Sequence, residues 1–150
     1  MGDFRQVDPR RMLWLAPLTI ACSVMAVLAV REVAIRAIHT APAFAPLTPA
    51  PEIIDTFLGC VGAILVFARM VDTPDSVRNY RWVAAAVLVL SFGPDVLLAT
   101  SHEMGGDWPQ AIVLMIMHVV VWAICVTLLP ALSMSTVSQI TEPNRPLSIL

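Results

Sequence analysis

The sequence predicts an all-α protein, a four-helix transmembrane bundle with up-down topology, and three observations carry that prediction. Of the 150 residues, 58% are hydrophobic and only 13% are charged, against roughly 25% charged in an ordinary soluble domain. The mean hydropathy is +0.80. Apolar residues gather in four runs, each close to the ~20 residues that cross a hydrocarbon core ~30 Å thick at ~1.5 Å per residue. Arginine, proline, glycine and aspartate mark the breaks between the runs. The whole chain, 1–150, reads as one membrane domain.

Span one covers about 12–30, between Arg11 and Arg31. Its apolar stretch is longer than the 7–15 residues of a signal-peptide core, and the MAVLAVRE exit has no A-x-A site, so it reads as a retained span. The TIAC stretch is no lipoprotein box, because Thr19 stands where an aliphatic residue belongs and the chain stays oily beyond Cys22. Helical pattern continues through VREVAIRAIH to about 39, with Glu32 and Arg36 as a favourable i,i+4 pair. The following TAPAFAPLTPAP, with prolines at 42, 46, 49 and 51, predicts an extended, polyproline-like strap. Span two, about 52–70, is the weakest, since only 56–68 is free of charge. The turn VDTPDSVRN offers Asp75 or Ser76 as a helix cap. Span three covers about 82–101, with Asp95 its sole charge; span four covers 108–132 and contains His118. Trp14, Trp82 and Trp108 stand where interfacial aromatics anchor a bundle. A polar, proline-broken tail, 133–150, is expected to be flexible.

All nine basic residues are arginines. Arg5, Arg10 and Arg11 precede span one, Arg69, Arg78 and Arg81 flank the turn between spans two and three, and Arg145 is in the tail. The opposite side holds only Arg31 and Arg36. Basic residues resist translocation, so both termini are expected to be cytoplasmic. A net charge of -2 with no basic cluster gives no support to nucleic-acid binding.

Cys22, Cys60 and Cys125 lie in three different apolar runs with no C-x-x-C among them, which predicts small apolar packing residues and argues against a membrane thiol oxidoreductase. No H-x-x-x-H or E-x-x-H spacing puts two metal ligands on one helix face, so no metal site is expected. Haem would need Met115 as the second axial ligand to His118. No cofactor is expected; a bound lipid or pigment remains compatible with the composition.

Within span three the stretch LSFGPDVLLATSH interrupts the oil. Pro94 removes a backbone donor and crowds the carbonyl of Leu90, and Gly93 eases bending, so the helix is expected to kink there with the freed carbonyls facing the bundle or a wet pocket. An intramembrane carboxylate costs about 2.5–3.5 kcal/mol on insertion scales and seeks a partner. By helical rise, Asp95 and His118 lie about 9 and 14 Å below the outer surface on neighbouring antiparallel helices, a gap side chains can close. Burial favours the neutral forms and mutual attraction the charged pair; the sequence is compatible with both. Glu32, Asp55, Thr56, His102, Glu103 and Asp107 crowd the same outer half, whereas the inner halves of the spans are nearly devoid of charge. In span two, Gly59, Gly62 and Ala63 offer a small-residue face for close helix packing, within the chain or between subunits.

With SFGPDVLL and LMIMHVVVWAI in place, the chain resembles a family of small, uncharacterised bacterial four-span membrane proteins with a proline-broken third helix and a methionine–histidine pair in the fourth, here Met117 and His118. The resemblance covers the membrane part. It implies a four-helix bundle in the bacterial cytoplasmic (inner) membrane and brings no activity with it.

No internal repeat, phosphate loop, nucleophile–base set or catalytic carboxylate pair is present, so an enzyme is not expected. The functional expectation is a non-catalytic accessory or assembly subunit whose partners are the lipid bilayer and other membrane helices, as a homo-oligomer or within a larger complex. The alternative is an oligomeric proton-coupled transporter or channel using the Asp95–His118 pair.

Overall fold

The computed structural model describes residues 9–38, 48–71, 73, 75–101 and 107–133. They form four helices: α1 (Pro9–Ile38), α2 (Pro49–Met70), α3 (Ser76–Ser101) and α4 (Trp108–Ser133). All four are long and apolar enough to cross a membrane, so the chain is a multi-pass membrane protein of the all-α class. Short connections make consecutive helices antiparallel, which puts the start of α1 and the end of α4 at one end of the bundle.

Each helix begins and ends for local reasons. The α2 helix starts at Pro49, and Pro51 also lies in its first turn. The expected polyproline strap is therefore corrected at these two positions. The first turn of a helix has no use for those N–H groups, and the fixed φ of proline is already helical. Thr48 precedes them in extended conformation, φ -81 and ψ 149. Pro42 and Pro46 lie outside the described residues. At the other end of α2, both the backbone N–H and the hydroxyl of Thr73 donate to the carbonyl of Met70, at 3.0 and 2.6 Å.

Asp75 then takes a left-handed φ of 59, which aspartate tolerates better than most residues. Its carbonyl receives the first helical hydrogen bond of α3 from Asn79, and its carboxylate holds Arg78 at 2.8 Å. The α4 helix opens with half a capping box: Ala111 donates to the carbonyl of Asp107, while Gln110 Oε1 accepts from the Asp107 N–H at 3.2 Å.

Packing runs around the ring α1–α2–α3–α4 and closes through α1 against α4. The tightest seams are α1 with α4 and α3 with α4; α2 and α3 are loosely joined. Two apolar clusters fill the interior. Toward the termini end, Leu15, Phe67, Tyr80, Val126 and Leu129 pack together, with Phe67 and Tyr80 edge to face at 5.0 Å between ring centroids. Toward the opposite end, Val27 and Ala34 of α1 pack on Val113 and Met117 of α4. The outer surface carries many large apolar side chains, and Trp14, Trp82 and Trp108 are exposed near helix ends.

Candidate functional site: a buried polar interior

Asp95 is turned into the bundle, with only 8% of its side chain exposed. Its Oδ2 lies 3.3 Å from His118 Nδ1 on α4, and 41% of the imidazole side chain is exposed. That same nitrogen sits 2.9 Å from the carbonyl oxygen of Leu114, one turn earlier on α4. A carbonyl only accepts, so Nδ1 carries the hydrogen and donates it to Leu114. One N–H cannot align with two acceptors at once, and Asp95 Oδ2 is left in ionic contact but without a hydrogen bond. In the neutral imidazole the lone pair is therefore at Nε2. Phe92 of α3 stands edge-on to the ring, with centroids 6.5 Å apart. Leu114, Asp95 and Phe92 together fix the tautomer and the plane of the ring, an arrangement suited to holding or passing a proton.

The Gly93–Pro94 stretch of α3 faces the other way. The helix runs unbroken through Pro94, and Gly93, Pro94 and Leu90 are all on the exposed surface. The expected inward face of freed carbonyls is thus corrected. Asp95 follows Pro94 by about 100° around the helix, so burying one turns the other outward. Near the break, the Ser91 hydroxyl donates to the carbonyl of Leu88 at 2.7 Å.

Gly59 and Gly62 also face outward, and a Cβ added at either would meet nothing within 4 Å. The intrachain half of the packing expectation is corrected; only Ala63 packs on the core. Asp55 is exposed as well. Glu32 lies on the surface beside Arg31 and Arg36, at 2.8 and 4.0 Å. His102 and Glu103 lie outside the described residues. Of the outer polar residues that are described, Glu32, Asp55 and Asp107 are exposed and Thr56 is buried.

The structure assembles a second set that sequence reading leaves unremarked. Glu52, in the first turn of α2, is buried with 3% of its side chain exposed, and its Oε2 is 3.7 Å from Arg31 Nε. Thr19 and Ser23 of α1 are fully buried, and so is Cys60 of α2. Cys60 and Cys125, expected as unrelated packing residues, are brought together as free thiols beside Ser23. Among the described residues, the buried side-chain atoms without hydrogen-bond partners are Thr19 Oγ1, Ser23 Oγ, Tyr80 OH, Asp95 Oδ2, Trp122 Nε1 and both oxygens of Glu52. Each such group costs about 1–3 kcal/mol unpaired, and lipid offers no relief. The missed signal is the spacing of four: Glu52, Thr56 and Cys60 on α2, Thr19 and Ser23 on α1.

Fold and site together define the class: a small integral membrane bundle whose apolar core encloses a few buried polar side chains. Compared with family models, curated proteins and solved structures, the chain has no match. Among the described residues no group of three or more histidine, cysteine, aspartate or glutamate side chains is placed to hold a metal.

Proposed function

We propose that the protein is a non-catalytic membrane subunit that assembles with other membrane helices. The observation that carries this reading is the outward stripe of α2, where Asp55, Gly59 and Gly62 follow at i, i+4 and i+7, all exposed. A carboxylate inside a span is costly against acyl chains. Glycines with open space above them let a second backbone come close. A helix laid along this stripe covers both, and its backbone or a polar side chain supplies Asp55 with a partner.

The test is the double substitution Gly59→Leu with Gly62→Leu. A Cβ added at either position meets nothing within 4 Å and both positions are exposed, so the fold measured by circular dichroism should stay intact. Purification in native lipid should give wild-type protein associated with a second copy or a larger membrane protein, and the double variant should lose it. A wild-type chain that migrates alone, or a double variant that retains its partner, refutes the reading.

A further inference from the structure

Cys60 sits at the middle of α2, eleven residues after Pro49 and ten before Met70, which is about 15 Å from either end at ~1.5 Å per residue. The fold sets it thiol against thiol with Cys125 of α4, in one core cluster with Tyr80 of α3, and Ser23 of α1 stands beside both sulfurs. All four side chains are buried, and both cysteines are free thiols. Packing explains the sulfurs but not their neighbours. Ser23 Oγ and Tyr80 OH have no hydrogen-bond partner, and orphaned donors in a core point to an ion or water that completes them. A thiol sulfur is a weak acceptor, whereas a thiolate takes strong, charge-assisted hydrogen bonds. Each hydroxyl therefore gains a full partner once the sulfurs give up their protons, and a metal ion is what displaces them. The donor set selects the ion. Zinc asks for four ligands and hard cations for oxygen, and among the described residues no third histidine, cysteine, aspartate or glutamate joins the pair to hold a metal. Soft thiolates select Cu(I), a closed-shell ion that two sulfurs in line can satisfy.

We propose that Cys60 and Cys125 form a two-sulfur Cu(I) site bridging α2 and α4, with Ser23 and Tyr80 donating hydrogen bonds to the metal-bound sulfurs. One Cu(I) enters, both thiol protons leave, two Cu–S bonds form, and no electron moves. The site then carries one net negative charge, and the two hydroxyls stabilise it by turning their hydrogens onto the thiolates. Because the ion takes the place of the hydrogen between sulfurs that already touch, it asks for a small spread of two side chains and no separate cavity. The bridge ties α2 to α4, a looser seam than α1 with α4 or α3 with α4, so the loaded bundle is held more firmly than the metal-free one.

The experiment uses the full chain in detergent micelles under reducing, oxygen-free conditions, with Cu(I) supplied as its coloured bicinchoninate complex and left overnight to equilibrate. The wild type should withdraw one Cu(I) per chain from the dye, and its melting temperature should rise. Cys22→Ser, which removes the exposed third thiol, should change neither result. Cys60→Ser and Cys125→Ser should each abolish uptake, and Ser23→Ala should weaken it about tenfold through the loss of one charge-assisted hydrogen bond. Copper K-edge X-ray absorption of the loaded Cys22→Ser chain should show two sulfur neighbours and no nitrogen. That spectrum reads the donors directly and decides the matter even if a buried-cysteine variant fails to fold by circular dichroism. The proposal is overturned if the wild type leaves the dye its copper, if uptake survives the loss of Cys60 or Cys125, if it disappears with Cys22→Ser, or if the spectrum shows nitrogen or oxygen donors.

Discussion

His118 is where several weak constraints meet. Its Nδ1–H is committed to the Leu114 carbonyl, and Asp95 waits 3.3 Å away with a buried, unpaired oxygen. Removing the imidazole leaves that carboxylate with no counter-group. His118→Ala should therefore destabilise the bundle by about 2 kcal/mol, less than the 3–5 kcal/mol of a fully buried pair because the imidazole is partly exposed. Replacing both partners, as Asp95→Leu with His118→Leu, removes the desolvated charge and should recover most of that loss. Unfolding by sodium dodecyl sulfate titration in detergent micelles measures both. Equal stability of His118→Ala and wild type would mean that Asp95 finds another partner. The same logic applies to Glu52, whose two buried oxygens make no hydrogen bond among the described residues and whose Oε2 lies 3.7 Å from Arg31 Nε. Arg31→Ala is expected to cost more than Arg36→Ala, since Arg36 holds only the exposed Glu32.

At the scale of the element, ends are set by local chemistry and rotation by packing. The Gln110 amide that caps α4 should be worth about 0.5–1 kcal/mol, and Gln110→Ala should lower the melting temperature accordingly. Pro94 sits on the outward face of α3, so Pro94→Ala restores a backbone hydrogen bond to Leu90 without disturbing any neighbour. The variant should melt higher than wild type. If it melts lower, the break in α3 is needed by the fold. The number of helices, their type and their approximate limits were readable from the runs of apolar residues, because transfer from water to lipid is a property each residue carries alone. The Asp95–His118 encounter was readable too, from two intramembrane ionisable groups at similar depth on consecutive spans. Which way Gly59, Gly62 and Pro94 face was not. On an all-apolar helix, rotation about the axis changes the lipid energy very little, and packing against neighbours decides it.

At the scale of the molecule, an apolar core with a few buried polar side chains is wrapped in a surface rich in large apolar residues. The arginine asymmetry predicts both termini on the cytoplasmic side. Reporter fusions at residue 150 and in the 102–107 connection should respond in opposite senses; equal responses would contradict the four-span topology.

The sequence by itself determined that four apolar helices are long enough to cross a membrane and that an aspartate and a histidine lie at similar depth on consecutive spans, because these follow from composition, spacing and rise along single segments. Only the tertiary structure decided that Glu52 lies beside Arg31, that Cys60 and Cys125 come together next to Ser23, and that the glycines of α2 look outward. The reason is physical: those outcomes depend on how each helix is rotated against its neighbours, and that angle is set by many small packing energies shared among chain segments far apart in sequence.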